Sequence, residues 1–412
     1  MFRGSPKSFR LHIGLFGRRN VGKSSLLNAI TRQNVSIVSE TAGTTTDPVE
    51  KPMELLPLGP ILFIDTAGID DIGALGELRI QKTRQIFDRT DVGVIVTESG
   101  IWGEFEEGLY NEFRSRNIPI VVVFNKVDLQ EPDETLCNRL KNEKVLYVKT
   151  IASEQEGISE LKNALISSAP EDFINSPTIL GDLVGPGELA VLVVPIDKEA
   201  PKGRLIMPQV QSIRDLLDND AMCVVVKERE LRRILEQLKT PPKIVVTDSQ
   251  VFLKVVADTP PDVWVTSFSI LFSRFRGDLI TQVEGTLAIE SLKPGDKILI
   301  AESCSHHPIA DDIGRVKIPR WLMQYVGGKL EFDTVQRNDF YTDLTKYKMV
   351  IHCGACTLNR RAMLNRIMHC KKQGIPISNY GLTIAYSLGI LERALEPFPS
   401  ALEIYKQRTQ KN

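Results

Sequence analysis

An excess of charge of either sign is what this chain most plainly lacks. It carries 51 Lys and Arg against 52 Asp and Glu in 412 residues, a formal net charge of −1. No broad basic footprint exists to attract nucleic acid, so nucleic acid is not an expected partner. Long apolar runs are missing as well. None approaches the ~20 residues of a membrane-spanning helix, so no membrane partner is expected. Residues 1–10 are basic, but the apolar run Leu11–Phe16 is too short for the core of a secretion signal and reads as a strand. A soluble, cytoplasmic chain is expected. Cysteine is scarce, with six, and histidine scarcer, with five. In a cytosolic protein such cysteines point to metal binding or catalysis before disulfides.

What is present begins with Gly17-Arg18-Arg19-Asn20-Val21-Gly22-Lys23-Ser24. This is the phosphate-loop pattern G-x-x-x-x-G-K-[ST], set between the strand Leu11–Phe16 and a helical pattern over residues 25–31. Gly17 and Gly22 let backbone N–H groups close around phosphate oxygens, and the helix start adds a favourable dipole. Lys23 is expected to reach the β- and γ-phosphates and Ser24 to hold Mg²⁺, with Ser25 completing the nucleotide-binding loop.

Partner motifs follow in order. Asp65-Thr66-Ala67-Gly68 closes the apolar run 61–64. Asp65 is placed to reach Mg²⁺, and Gly68 to follow the γ-phosphate through its N–H. Asn125-Lys126-Val127-Asp128 closes the run 120–124. A carboxylate at Asp128 accepts two hydrogen bonds from the N–H edge of guanine, whereas adenine would leave it unpaired. Asn125 and Lys126 belong to the same base-binding set. Ala152 follows the strand-like run 145–148, where its N–H could meet the guanine oxygen. Thr45, within residues 44–46, is a candidate switch threonine for Mg²⁺. GTP and Mg²⁺ are the implied ligands and GTP hydrolysis the implied reaction.

Over residues 11 to about 168 these motifs resemble the GTPases of the TrmE–Era–EngA group. Asn20 stands where the potassium-activated members place an asparagine beside K⁺, so the resemblance implies K⁺ as a further cofactor. Ile69 occupies the position of the water-positioning glutamine of Ras-like proteins. Glu77 lies at the spacing of the hydrolysis glutamate in the tRNA-modifying members, although a solvated acid at a helix start is the favoured account of it. Ile151 and Ser153 flank Ala152 where the group usually has Ser and Lys, which implies looser guanine packing and easy exchange.

Beyond a linker near residues 168–177, strand-like runs at 189–196, 223–226, 243–247 and 263–268 alternate with helical patterns at 206–217, 228–238 and 249–257. Such alternation implies a parallel sheet. No glycine-rich loop and no acid–base constellation appears there. Lys198, Lys202 and Arg204 read as a solvated edge, and the segment reads as a dimerisation module. Cys137 and Cys223 read as packing residues.

The other four cysteines and four of the five histidines fall in the last third. Lys297–Glu302 reads as a strand followed by Ser303-Cys304-Ser305-His306-His307. Residues 348–352 read as another, followed by Cys353-Gly354-Ala355-Cys356. Candidate ligands after strand ends suit the carboxyl edge of an open α/β sheet. A helical pattern over 357–368 would place its positive end beside Cys356. The ligand set suits a [4Fe–4S] cluster or zinc, with reactive thiols as a third option. Cys370 and His369 read as packing or surface residues. Arg360 and Arg361 read as a solvated helix face or an attractor for an anion.

The combination is more telling than its parts. A GTPase domain, a middle segment without a site, and Cys304-Ser305-His306 separated by 45 residues from His352-Cys353-Gly354-Ala355-Cys356 resemble the HydF family of [FeFe]-hydrogenase maturation GTPases. The resemblance implies a [4Fe–4S] cluster on Cys304, Cys353 and Cys356. It also implies a scaffold and carrier that receives a diiron precursor from two radical-SAM maturases and delivers it to apo-[FeFe]-hydrogenase. His306, two residues from Cys304, projects to the same side of an extended backbone, whereas His352 precedes Cys353 and faces away; His306 is the favoured fourth ligand. His352, Asp311, Asp312 or an exchangeable position remain open. The expected architecture is an α/β chain of three domains: a P-loop GTPase domain (1–170) followed by two smaller α/β domains with mainly parallel sheets, a dimerisation domain (178–268) and a cluster-binding domain (269–412). A homodimer is expected. An RNA-modification or ribosome-assembly GTPase with structural zinc is the alternative, disfavoured by the absence of a GXXG loop or a basic aromatic stripe. A redox enzyme would need a substrate constellation that is not visible.

Overall fold

The computed structural model describes residues 6–31, 49–66, 85–174, 178–195, 205–303, 312–336, 340 and 343–410. The chain divides into two compact units, Met1–Ser176 and Pro177–Asn412.

The first unit is built on a six-stranded sheet in the order β2-β3-β1-β4-β5-β6. Its strands are β1 (Leu11–Phe16), β2 (Val49–Leu55), β3 (Gly59–Asp65), β4 (Val92–Glu98), β5 (Ile120–Asn125) and β6 (Leu146–Thr150). All pairs are parallel except β2–β3. The β1 and β5 strands are buried along their whole length. Apolar runs without alternation fold this way because helices cover both faces. Successive residues face opposite sides and feed two cores. Leu11, Ile13, Val94 and Val121 pack with Leu27 and Leu161 of the helices Lys23–Thr31 and Ile158–Ser167. Phe16, Ile95 and Val122 pack with Phe113 of the helix Glu104–Ser115. Pro52 is tolerated in β2 because that strand is an edge.

The second unit contains two four-stranded, wholly parallel sheets. One has the order β10-β9-β7-β8, from β7 (Leu189–Val193), β8 (Met222–Val226), β9 (Ile244–Thr247) and β10 (Trp264–Ser267). The other has the order β12-β11-β13-β14, from β11 (Lys297–Glu302), β12 (Glu331–Gln336), β13 (Met349–His352) and β14 (Ile377–Asn379). The helix Phe268–Arg276 follows β10 directly, its first turn capped by Ser267.

The α/β architecture with mainly parallel sheets agrees with the sequence reading, and the differences are local. The strand read at 145–148 lies at Leu146–Thr150. The helix read from 357 begins at Arg360, because Asn359 is buried and its side chain accepts the Ala362 N–H at 3.2 Å. Residues 357–359 thus separate Cys356 from the helix start, and the dipole argument for Cys356 loses its basis.

The helix Leu279–Leu287 lies so close to β14 that a Cβ on Gly285 would stand 2.1 Å from the Ile377 carbonyl oxygen. Backbone cannot yield as a flexible side chain can. Gly285→Ala is expected to destabilise the second unit by roughly 1–3 kcal/mol, the range for overpacking. Thermal unfolding checks this, and an unchanged Tm would show that the helix can shift freely.

Candidate functional site

The nucleotide-type site lies at the carboxyl end of β1. The helix Lys23–Thr31 starts at the end of the loop that follows this strand. Lys23 is buried, and its ammonium donates to the carbonyls of Gly17 and, at 2.7 Å, Arg18. Ser24 Oγ donates to Asp65 Oδ2 at 3.1 Å, which joins two residues expected around Mg²⁺. Thr66 Oγ1 donates to the Leu15 carbonyl at 2.6 Å and ties the exit of β3 to β1.

Asn125 connects this loop to the base-binding segment. Its Nδ2 donates to the Val21 carbonyl at 2.8 Å. Its Oδ1 accepts from Thr150 Oγ1 at 3.0 Å and from the Ala152 N–H at 3.1 Å. The Ala152 N–H, expected to meet a base oxygen, is therefore engaged by Asn125. Gly22 has φ +95, and a Cβ there would stand 2.3 Å from Asn125 Nδ2. Lys126 pairs with Glu98 at 2.7 Å. Asn20, Ser25 and Asp128 are solvent-exposed. Thr45, Gly68 and Glu77 lie outside the described residues.

The second candidate site lies at the carboxyl ends of β11 and β13. These neighbours pair in parallel, with Ala301 opposite His352. The Cys353 N–H donates to the Ala301 carbonyl at 2.9 Å. Cys353 Sγ in turn accepts the Ser303 N–H at 3.2 Å and lies 3.1 Å from Ser303 Oγ. Thr357 Oγ1 donates to the Ser303 carbonyl at 3.3 Å. The two cysteine-bearing segments therefore meet. Cys304, bonded to Ser303, lies outside the described residues, as do His306 and Asp311. Cys356 is half-buried. Among the described residues no group of three or more His, Cys, Asp or Glu side chains forms a metal site.

Several neighbours have other work. His352 is fully buried. Its Nδ1 donates to the Cys353 carbonyl at 2.7 Å, and its Nε2 accepts from Arg366 at 2.8 Å. Burial first, and the Arg366 charge second, push its pKa down to about 3. The imidazole is neutral, with both nitrogens engaged within the protein. Asp312 is buried and accepts the Arg315 N–H at 2.7 Å. Arg360 donates to the carbonyls of Phe275 at 2.9 Å and Gly277 at 3.2 Å at the end of the helix Phe268–Arg276, so it is a helix cap rather than a bare attractor for anions. Cys370 is buried, and burial pushes its thiol up to about 12, as befits a packing residue. Motif reading misses Ser303, Glu98 and Arg366. Only Ser303 carries a signal, its position between a strand end and a candidate ligand.

Three family models match the chain. They are the hydrogen maturase F dimerization domain over residues 179–277, the hydrogen maturase F tetramerization domain over 280–397, and the 50S ribosome-binding GTPase over 12–126. Among curated proteins, the tRNA modification GTPase MnmE of Synechococcus sp. (strain JA-3-3Ab) is 35% identical over 168 residues, covering 40% of this chain and 35% of the relative. MnmE of Acaryochloris marina (strain MBIC 11017) is 32% identical over 171 residues, covering 41% and 36%. The chain thus spans about a third of the length of these relatives. Among solved structures, Aquifex aeolicus Era bound to GDP and aluminium fluoride is 20% identical with TM-score 0.34, covering 55% of this chain and 98% of that one. The G domain of the T. maritima FeoB iron transporter is 20% identical with TM-score 0.31, covering 39% and 98%. No helix among the described residues is long and apolar enough to cross a membrane.

The buried His352 yields a prediction on acid stability. Its unfolded-state pKa is near 6.5 and its folded value about 3, so the unfolded chain takes up the proton first as pH falls. The stability contributed is complete above pH 6.5 and is lost progressively from there toward 3. Between pH 7.5 and 5 this is about 2 kcal/mol. Urea unfolding at both pH values should show a smaller pH effect in His352→Gln than in the parent chain; an equal effect would contradict a neutral buried imidazole.

Proposed function

This chain belongs to the hydrogen maturase F family, and from that premise we propose that it is a GTP-hydrolysing scaffold and carrier for the diiron precursor of [FeFe]-hydrogenase. GTP binds on Gly17, Gly22, Lys23, Ser24 and Ser25, with Ser24 and Asp65 around Mg²⁺ and Lys23 reaching the phosphates. Asp128 selects guanine, with Asn125, Lys126 and Ala152 shaping the base site. Asn20 holds an activating K⁺, Thr45 and Gly68 respond to the γ-phosphate, and Glu77 positions water.

Cys304, Cys353 and Cys356 are the proposed thiolate ligands of a [4Fe–4S] cluster. Such a cluster, when bound, supplies an iron with an exchangeable position, which a carrier needs in order to load and release its cargo. The observation that carries this reading is the contact of Cys353 Sγ with Ser303, the residue from which the chain continues into Cys304. The donor chemistry fits, since the sulfur already accepts a backbone N–H. With His352 engaged by Arg366 and Cys353, His306 is the proposed fourth ligand. The proposed partners are apo-[FeFe]-hydrogenase and two radical-SAM maturases.

Residues 178–268 are proposed as the dimerising module, and 269–412 as the cluster module. Among the described residues β8 has no strand on its outer side, and Met222 and Val225 along it are 53% and 43% exposed. A bare apolar edge invites pairing with a second copy.

Two experiments test the reading. Cys353→Ser replaces a soft thiolate with a hydroxyl, so the anaerobically purified variant should lose its iron and its capacity to activate apo-hydrogenase while still turning over GTP. Lys23→Ala should do the reverse, abolishing GTP binding and retaining iron. A Cys353→Ser protein with full iron and full activation would refute the carrier site. For the edge, Val225→Lys should lower the mass measured by light scattering to that of a smaller assembly; an unchanged mass would place the interface elsewhere.

A further inference from the structure

The side chain of Arg18, in the phosphate loop, is engaged by the helix Glu104–Ser115. Its guanidinium grips Glu106 in a two-point pair, Nε to Oε1 at 2.7 Å and Nη2 to Oε2 at 3.0 Å. Glu106 is completely buried near the start of the helix Glu104–Ser115 and also accepts the Gly103 N–H at 3.0 Å. The Arg18 guanidinium also lies over the Phe105 ring, 5.3 Å from its centroid. Burial opposes ionisation of Glu106, but Arg18 and the Gly103 N–H outweigh it and hold the carboxyl below its ordinary range. A charged, two-point pair on a buried carboxylate is among the stronger polar contacts a protein makes.

The loop has reason to need such a hold. Asn20 at φ +64 and Gly22 at φ +95 are in the left-handed region. Backbone of this kind persists only when its surroundings fix it. Inside the loop, Lys23 supplies the hold through the Gly17 and Arg18 carbonyls. Bonds from the same three-donor ammonium to phosphate oxygens draw on that hold. The Arg18–Glu106 pair involves no atom that Lys23 contacts and has no such conflict.

We propose that Glu106 is a positioning residue for the nucleotide site: through Arg18 it keeps the phosphate loop in its binding shape when Lys23 engages a phosphate. The proposal rests on the assignment of GTP as the ligand. It predicts an effect on affinity and little on chemistry, because the pair shapes the loop before phosphate arrives and touches no reacting atom.

Binding of a fluorescent GDP and GTP to the full chain, with steady-state hydrolysis, tests this. Absence of binding by the parent chain would refute the GTP assignment itself, separately from the clamp. Given binding, Arg18→Met and Glu106→Gln should each weaken both nucleotides about tenfold, with kcat at saturating GTP within about twofold of the parent. The double variant should be no weaker than the weaker single one, since either change breaks the same contact. Arg18→Lys, which keeps charge without the fork, should recover part of the affinity. If Glu106→Gln does not fold, Arg18→Met and Arg18→Lys, at a half-exposed position, decide the matter alone. Unchanged affinity in Arg18→Met, multiplying losses in the double variant, or a loss confined to kcat would each overturn the proposal.

Discussion

The buried amide of Asn125 is the joint on which the first unit's site depends. One side chain spans the phosphate loop through the Val21 carbonyl and the last strand through Thr150 and Ala152. These segments are distant in sequence, and each needs its polar backbone satisfied where water is excluded. An unmade bond there would cost about 1–3 kcal/mol per buried group. The joint also explains Gly22, since any side chain at that position would occupy the space of the Asn125 amide nitrogen.

The second unit repeats the principle with sulfur as acceptor. Cys353 Sγ receives the N–H of Ser303 at the ends of two paired parallel strands. Both sites fall where topology favours them. In the order β2-β3-β1-β4-β5-β6 the chain leaves β1 toward one side and returns on the other; in β12-β11-β13-β14 it does so at β11 and β13. Crossovers that depart in opposite directions leave a crevice at the carboxyl ends between such strands. The phosphate loop follows β1, and the cysteine segments follow β11 and β13.

This is why the candidate sites are legible in the sequence as positions in the fold. The loop after β1, Asp65 and Asn125 are contiguous motifs at the ends of apolar runs, and contiguity survives any error in tertiary placement. What was not legible depended on distant partners or on a single cap. The helix after Cys356 starts at Arg360 because Asn359 has the side chain to begin it, and periodicity alone cannot distinguish that start from one three residues earlier. His352 ranks behind His306 on strand alternation, while its partner in the fold is Arg366, 14 residues on. Arg360 read as a free cation because its carbonyl partners, residues 274–277, are more than 80 positions away.

The same distance rule separates the two kinds of acid in the first unit. Glu98 and Glu106 belong to no motif, yet each meets a cation of one: Lys126 for Glu98 and Arg18 for Glu106. Glu98 is a third exposed and shares its partner with solvent, so its pair is worth little beyond orientation. Glu106 is fully buried, so Arg18 is not an optional neighbour but the counter-charge that lets the carboxylate stay ionised. Removing Arg18 would leave that charge unmatched, and the helix start and the loop would have to rearrange together. A motif names the residues that meet the ligand; the buried partner determines how firmly the motif is held before the ligand comes.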